Sequence, residues 1–352
     1  MSIFSIIFAI LLFSLLILVH ELGHFLTAKL FKIQVNEFSM FMGPAIFKKQ
    51  KGETLYSIRC IPIGGFCAME GEDGESDNPR AFHNAKWWKR LIVLVAGSFM
   101  NLVAGFILLL IFNSSLSATP SMRIDYAEPN SEFIQEDGIQ VGDTILEIDG
   151  YNIYTNTDFS LLTMRGDEYH DVTVLRDGKE ITFTDYKMEK TIFNNETEPR
   201  YGITFGSDEK TVGGVLSYTF DSSASVVQSV WLSLKMLIFG EVSLNEIGGP
   251  VMIVQTMSET AQRSPGIAEA ILSMIYFGGF IAINLAVMNM LPIPALDGGR
   301  SFALLITAFV EKITRKKINP KYEGYIHGVG MILLLIFMAL VMFKDIFRIF
   351  EG

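Results

Sequence analysis

The stretch "LILVHELGHFLTAKLF" (16–31) begins as an uninterrupted apolar run and then places His20, Glu21 and His24 where a membrane-spanning helix should still be apolar. Ionisable side chains at membrane depth are costly, so their presence there indicates pairing or function. On a helix, residues four apart project from the same face, one turn apart. His20 and His24 can therefore share one metal ion, while Glu21 can reach a water molecule beside it. The spacing predicts a zinc site of the hydrolytic kind, in which the glutamate transfers protons.

The rest of the chain is apolar enough to place this motif in a membrane protein. Of its 352 residues, 50% are hydrophobic, which exceeds the usual content of a soluble domain of this size. A bilayer core of roughly 30 Å needs about 20 apolar residues in a helix. Runs without Lys, Arg, Asp or Glu cover 1–19, 91–112, 270–296 and 325–343. These runs predict a polytopic α-helical membrane protein with about four transmembrane helices.

The distribution of charge predicts the orientation. Cytoplasmic connections near membrane spans are enriched in Lys and Arg. Residues 29–90 hold ten such side chains and residues 300–321 hold six, whereas residues 121–210 hold 20 acidic and 8 basic side chains. We therefore expect the two basic connections inside the cell, and the acidic segment with both termini outside. The stretch 225–240 contains Lys235 and is more typical of an amphipathic helix lying in the membrane interface.

The acidic segment has the pattern of a small β-rich domain inserted between spans. Its "LRDGKEI" (175–181) places Asp-Gly between apolar runs, which is a strong hairpin signal. Its "GIQVGDTILEIDGYNI" (138–153) resembles the signature of bacterial PDZ domains, which bind an extended peptide beside a sheet edge. The preceding "SEFIQEDG" (131–138) is longer and bulkier than the usual turn. Peptide capture at a PDZ-like groove and a size filter for substrates are both compatible with this pattern.

Two histidines leave a catalytic zinc ion one protein ligand short. The remaining histidines fall in a cytoplasmic loop, in the external domain and at the last span, so a carboxylate is the natural third ligand. An acid at membrane depth occurs in "NLAVMNMLPIPALDGGR" (284–300), where Asp297 closes the third predicted span. Pro292 and Pro294 should break this helix and free backbone groups, which is tolerable only inside protein or beside a wet cavity.

Together, "HELGH", "NMLPIPALDGG" and the PDZ-like insert resemble the site-2 protease family of intramembrane zinc metalloproteases, in its bacterial regulator-of-sigma-E protease type with one PDZ domain. Similar matches are "FSMFMGP" (38–44) and "IPIGGF" (61–66), which look like the membrane-associated β-hairpin region of that family. "GSFMNLVAGF" (97–106) and "GGP" (248–250) also fit. Met40, Phe41 and Met42 depart from the common Gly-Phe-Gly run.

The resemblance implies a set of site residues. His20, His24 and Asp297 would bind Zn²⁺, and Glu21 would be the general base. Asn289 and Asn284 would contact the substrate backbone or the developing oxyanion, although interhelical packing bonds are the alternative for both. The strand at Gly64 and Gly65 would offer an edge on which an unwound substrate pairs.

The resemblance also implies the activity and its setting. It predicts an intramembrane protease of the bacterial cytoplasmic (inner) membrane that cleaves single-span membrane proteins, such as anti-sigma factors or signal peptide remnants. Its partners would be those substrates, the lipid bilayer and a peptide at the PDZ-like groove, with no nucleic acid. Two rivals are a membrane-anchored zinc protease that cuts soluble loops and a catalytically idle PDZ scaffold.

The segments expected are a first transmembrane helix (1–30), a cytoplasmic loop with a membrane-associated β region (31–90), a second transmembrane helix (91–114), an extracytoplasmic PDZ-like domain (115–210), an interfacial segment with the GGP loop (211–268), a third transmembrane helix (269–299), a cytoplasmic loop (300–324), and a fourth transmembrane helix with the C-terminus (325–352).

Overall fold

In the computed structural model the chain forms two compact units, residues 1–108 with 244–352 and residues 109–243. The structure describes residues 3–351, apart from 73, 75, 165–167, 194–198, 241–249 and 316–320. The described helices are α1 (Ile3–Leu30), α2 (Trp87–Asn113), α3 (Asn156–Thr163), α4 (Val212–Phe239), α5 (Pro250–Arg263), α6 (Ile267–Asn289), α7 (Asp297–Thr314) and α8 (Lys321–Glu351). The described strands are β1 (Val35–Lys51), β2 (Thr54–Met69), β3 (Thr119–Ala127), β4 (Thr144–Ile148), β5 (Tyr151–Asn152), β6 (Tyr169–Arg176), β7 (Lys179–Lys187) and β8 (Ile203–Asp208).

Four of the described helices are long and apolar enough to cross a membrane, judged by length and composition: α1 over Ile7–Leu30, α2, α4 and α6. Three of them coincide with spans predicted from the sequence. The fourth, α4, was not predicted as a span, and the predicted span at 325–343 lies within α8. The described apolar part of α8, Gly328–Lys344, has 17 residues and stands at the short end of what a bilayer requires. The chain is therefore a membrane protein with several apolar helices.

Helix α4 contains Lys235 within an apolar run, and the packing of this helix accounts for that lysine. The helix is continuous from Val212 to Phe239, so it is longer than the interfacial segment suggested by 225–240. Its second half packs on the β-rich unit, because Leu232 and Met236 lie in the core of that unit. Lys235 Nζ donates to the Tyr151 hydroxyl at 2.8 Å. Contact of this helix with a membrane interface stays a prediction, and residues 248 and 249 of the GGP loop lie outside the described residues.

The third predicted span ends earlier than residue 299. Helix α6 stops at Asn289, and α7 begins at Asp297, so Asp297 opens a new helix and the predicted loop at 300–324 is helical as far as Thr314. The proline at 292 and the proline at 294 lack a backbone N–H and cannot continue the helix, which accounts for the break. A Cβ atom on Gly298 would lie 2.3 Å from the Leu291 carbonyl oxygen, so the first turn of α7 rests directly on this break.

Strands β1 and β2 form an antiparallel sheet in which each strand bends back. Residues 37–40 pair with 55–58 on one side, and residues 35–40 pair with 65–69 on the other. Exposed apolar side chains gather around the bends, namely Met42, Ile46, Phe47, Ile58, Ile61 and Ile63. Ser14 of α1 donates to the Pro62 carbonyl at 2.9 Å, so one bend touches α1 within its apolar stretch. A β region therefore lies where the sequence predicted one, and its association with the membrane stays a prediction.

The inserted unit has its own antiparallel sheet, in the order β7-β6-β4-β3-β8 with β5 beside β4. Asp177 and Gly178, with φ of 50° and 74°, form the two-residue turn between β6 and β7, which confirms the Asp-Gly hairpin. Asp143 of the "VGD" motif accepts hydrogen bonds from Gln140 N at 2.8 Å and from Arg176 Nε at 2.7 Å. The motif therefore ties the turn before β4 to β6. The domain is β-rich as expected, and its PDZ character stays a prediction.

An ion-pair network joins the end of α1 to the β1–β2 turn. Glu53 in that turn accepts hydrogen bonds from Arg80 Nη1 at 2.6 Å and from Lys29 Nζ at 2.7 Å. The hydrogen bonds from Arg80 and then Lys29 lower the pKa of Glu53 from 4.5 to about 2. The carboxylate is thus more stable in the folded protein than in the unfolded chain.

Substitution Glu53→Gln should lower the free energy of unfolding by about 1 kcal/mol at pH 7, since the groups are partly exposed. A depressed carboxyl pKa stabilises the fold above the unfolded pKa, and this contribution is lost as the pH falls through the folded pKa. The difference between parent and variant should therefore shrink between pH 4.5 and about 2. Thermal unfolding in detergent across this range is the measurement, and a difference that does not change with pH would contradict the assignment.

Candidate metal centre

Three side chains converge beside the C-terminal half of α1, which carries two of them. Nε2 of His20 lies 2.9 Å from Oδ2 of Asp297, and Nε2 of His24 lies 3.2 Å from the same oxygen. The two Nε2 atoms are 3.1 Å apart. Both imidazoles are buried, with 8% and 6% of their residue surfaces exposed. The structure therefore brings together the two histidines and the carboxylate that the sequence singled out.

This triangle of short contacts fits a shared cation better than hydrogen bonds alone. Hydrogen bonds from both Nε2–H groups to one carboxylate oxygen would leave two N–H groups facing each other at 3.1 Å. A zinc ion with bonds of 2.0–2.1 Å and tetrahedral angles places its ligand atoms roughly 3.3 Å apart. The observed separations are within a few tenths of an ångström of that value. Two imidazoles, one carboxylate and a remaining open position are also the donor set of a catalytic zinc site.

Close packing of α2 against α1 closes one side of the cluster. A Cβ atom on Gly23 would lie 2.3 Å from the Ala96 carbonyl oxygen, so the two helices touch backbone to backbone. Gly97 follows Ala96 on α2, and a Cβ atom on Gly97 would lie 2.5 Å from His24 Nε2 and 2.7 Å from His20 Cε1. Small residues at both positions therefore allow α2 to lie directly against the imidazole rings.

The same helix orients the imidazoles. His24 Nδ1 lies 2.8 Å from the Val93 carbonyl oxygen, and because a carbonyl only accepts, the proton of the neutral ring belongs on Nδ1. His24 Nε2 is thereby left with a lone pair that points at the cluster. His20 Nδ1 faces the buried amide of Asn101 at 3.5 Å.

Glu21 lies beside the cluster without being part of the triangle. Its carboxylate interacts electrostatically with His24, His20 and Asp297. A second carboxylate, that of Glu72 after β2, also acts on Glu21, and it accepts a hydrogen bond from Arg300 Nη1 in the first turns of α7. The helix that carries Asp297 therefore also supplies a positive charge to the segment next to Glu21.

The predicted substrate-contact residues lie on two other elements. Asn284 lies within α6 and Asn289 is its last residue, and both are half-buried. Gly64 lies at a bend of β2 with φ of 75°, and Gly65 begins the segment that pairs with residues 35–40. Among the described residues no hydrogen bond joins these four to the cluster, and their roles stay predictions.

Four contributors to the site were not found by sequence reasoning: the Val93 carbonyl, Gly23, Gly97 and Asn101. Gly23 sits inside "HELGH", and Gly97 and Asn101 lie four residues apart inside "GSFMNLVAGF". That spacing places them on one face of α2, and the small residue indicates a close helix contact. A carbonyl partner carries no sequence signal, so Val93 could not have been identified.

Substitution Gly97→Ala should strongly reduce the bound zinc and the activity, because the new methyl group would occupy the space of both imidazole rings. Zinc content of the purified protein is the measurement. Gly105→Ala is the matched control on α2, since its Cβ atom would meet Ile283 Cγ1 at 2.5 Å and would disturb packing away from the cluster of His20, His24 and Asp297. Full zinc content in folded Gly97→Ala would show that α2 does not confine the rings.

The chain resembles known proteins along nearly its whole length. The model of peptidase family M50 matches residues 8–337. A protein of Clostridium perfringens named as a zinc metalloprotease is 38% identical, covering 97% of this chain and 98% of the relative. Another from Clostridium acetobutylicum is 35% identical over 98% of each chain. The regulator of sigma-W protease RasP of Bacillus subtilis is 26% identical, covering 97% of this chain and 98% of its own. The chain belongs to peptidase family M50, the site-2 protease family, and is a zinc metalloprotease of a multi-pass membrane type.

Proposed function

We propose that this zinc metalloprotease hydrolyses peptide bonds within the transmembrane segments of single-span membrane proteins. The observation that carries the proposal is the position of the cluster. His20 and His24 lie within one candidate span, Ile7–Leu30, and Asp297 follows the end of another. A protease acting on soluble loops needs no ligands at this depth, whereas hydrolysis of a buried peptide bond does.

In the proposed mechanism His20, His24 and Asp297 hold the zinc ion. When bound, zinc supplies a Lewis acid that makes water a nucleophile near neutral pH. Glu21 takes a proton from the attacking water and passes it to the nitrogen of the leaving amine. Its position next to His20 on α1 suits this role.

A substrate helix must unwind before its peptide bond can be attacked, because its carbonyl groups are already hydrogen-bonded. We propose that residues 65–69 of β2 receive the unwound segment as an added strand. These residues pair with 35–40 on one side, and their other side pairs with no described strand. The apolar bends of the sheet and the contact between Ser14 and Pro62 support a position near membrane depth. Asn289 and Asn284 would then hold the substrate backbone.

The orientation proposed places the acidic β domain and both termini outside the cell and the zinc site towards the cytoplasmic side. If α1 begins outside, residue 20 lies about 26 Å along its axis from Ile3. The basic connections at 29–90 and 300–321 support this orientation. Membrane proteins such as anti-sigma factors are the substrate class we propose, in agreement with the name of the Bacillus subtilis relative.

For the inserted β domain we propose a size filter of PDZ-like fold rather than peptide capture. Strand β8 lies at the edge of the sheet path, where a peptide would be added. The Phe205 ring of β8 packs on Phe159 of α3 with centroids 5.2 Å apart. Tyr201 also packs on Phe159, at 5.5 Å, and its hydroxyl lies 3.5 Å from the Thr163 carbonyl oxygen. Side chains therefore fill the space between α3 and the edge strand.

The metal and the general base should respond differently to substitution. His24→Ala should lose both zinc and activity. Glu21→Gln should keep zinc and the fold while activity falls by about 10² to 10⁴-fold, the range for loss of a general base. Zinc analysis and cleavage of a single-span reporter measure the two effects. Stoichiometric zinc in the double variant His20→Ala, His24→Ala would rule out this site, and parental activity in Glu21→Gln would rule out the assigned base.

The filter is tested by removing the β domain. Thr119 pairs with Asp208, so residues 120–207 can be replaced by a short Gly-Ser link. Leu232→Gln and Met236→Gln should accompany the deletion, because both side chains pack in the core that is removed. The parent should cut only a reporter trimmed to a short external stub, whereas the deletion variant should also cut a reporter with a bulky folded external domain.

A variant with the two glutamines but an intact β domain is the control for the substitutions. If the zinc-loaded deletion variant cuts neither reporter, the domain is required for delivery or catalysis and the filter idea fails. If the deletion variant cuts only the stub, selection by size resides elsewhere in the protein.

A further inference from the structure

We propose that Asn101 of α2 is a positioning residue for the metal centre, whose side-chain oxygen accepts the Nδ1–H of His20 and thereby keeps His20 Nε2 free to bind zinc. This inference rests on the proposed ligand role of His20. It assigns a function to a buried amide that the proposed mechanism does not otherwise use.

The requirement arises from the chemistry of a neutral imidazole. Its single proton resides on one nitrogen, and the other nitrogen has the lone pair that binds a metal. Nε2 of His20 is the atom that faces Asp297 Oδ2 at 2.9 Å, so it must be the ligand and the proton must reside on Nδ1. A buried Nδ1–H needs an acceptor, because an unsatisfied donor costs about 1–3 kcal/mol.

Asn101 is the group placed to provide that acceptor. Its residue surface is 1% exposed, and its amide nitrogen is 3.5 Å from His20 Nδ1. Its Oδ1 is buried and has no hydrogen-bond partner within the described part of the chain. The two ends of an amide have nearly the same shape, so rotation by 180° about Cβ–Cγ exchanges them with little change in packing.

The two orientations of the Asn101 amide differ in whether His20 can bind a metal through Nε2. Only one end of the amide can face Nδ1, and in either orientation the other end has no partner among the described residues. With the nitrogen facing the ring, Nδ1 must accept, which leaves the proton on Nε2 and blocks the ligand atom. With the oxygen facing the ring, Nδ1 donates and Nε2 is free. Zinc at the cluster therefore selects the orientation that presents the oxygen.

The Nδ1 atom of His24 also has a hydrogen-bond acceptor, which is a backbone carbonyl instead of a side-chain amide. His24 Nδ1 is held by the Val93 carbonyl, which can only accept. Val93 and Asn101 are eight residues apart on α2, just over two helical turns. One helix thus orients both imidazoles, one through its backbone and one through a side chain.

The test compares two substitutions that have opposite effects on binding and on stability. Asn101→Leu keeps the size and removes the acceptor, so the zinc dissociation constant should rise by about 10 to 100-fold, the range for groups that orient metal ligands. In Asn101→Asp both side-chain oxygens can accept the hydrogen bond from His20 Nδ1–H, so the zinc affinity should equal or exceed that of the parent. The metal-free form of this variant should nevertheless be less stable than Asn101→Leu, because it buries a carboxylate. Chelator competition gives the dissociation constants, and thermal unfolding of the metal-free proteins gives the stabilities.

Asn113→Leu is the matched control, since Asn113 is another buried amide of α2 and donates to Thr219 Oγ1 at 3.1 Å. It should retain the zinc affinity of the parent. An unchanged affinity in Asn101→Leu would overturn the inference, as would a loss in Asn101→Asp as large as that in Asn101→Leu. If Asn101→Leu does not fold, Asn101→Asp decides: parental or tighter binding supports the inference, and a loss of more than ten-fold overturns it. Failure of the parent and of Asn113→Leu to bind zinc would instead refute the proposed metal site.

Discussion

The convergence of two imidazole nitrogens and one carboxylate oxygen within 3.2 Å of each other, inside an apolar group of helices, is the constraint on which this structure depends. Three polar groups at such depth are costly without a shared cation. Meeting the constraint requires helices closer than ordinary side chains allow. Gly23 and Gly97 provide that approach between α1 and α2. The break between α6 and α7, with Gly298 packed on it, turns Asp297 towards the histidines.

The cluster lies in one compact unit, and the other unit has a hydrophobic core of its own. The cluster, its orienting helix and the bent β sheet belong to residues 1–108 and 244–352. Residues 109–243 form a separate core around Ile124, Phe133, Ile145 and Val172, to which α4 contributes Leu232 and Met236. None of the cluster residues comes from this second unit, which is why we assign it selection of substrates rather than catalysis. Aromatic packing between α3 and β8 favours exclusion over peptide capture.

Much of the site could be predicted from sequence because its signals are local or chemically rare. The four-residue spacing of His20 and His24 fixes a shared face on any helix. Asp297 was found because acids are scarce in apolar runs. The Asp-Gly turn at 177–178 was equally clear, since both positions require positive φ. The break at Pro292 and Pro294 was predicted, but Asp297 was assigned to the end of the third span, because the apolar composition continues beyond the prolines, whereas Asp297 begins α7.

Other features depend on tertiary contacts that no single segment encodes. Lys235 suggested an interfacial helix, yet it is accommodated by the Tyr151 hydroxyl of the β domain. The roles of Gly97 and the Val93 carbonyl depend on how closely α2 approaches the rings, which periodicity does not report. We propose that this zinc site acts at membrane depth. Mass spectrometry of the products from a short-stub reporter is the decisive measurement, because it identifies the bond that is cut. Cleavage should fall within the apolar stretch of the substrate and should be absent with Glu21→Gln. Cleavage confined to the soluble flanks would show that the site does not act at that depth.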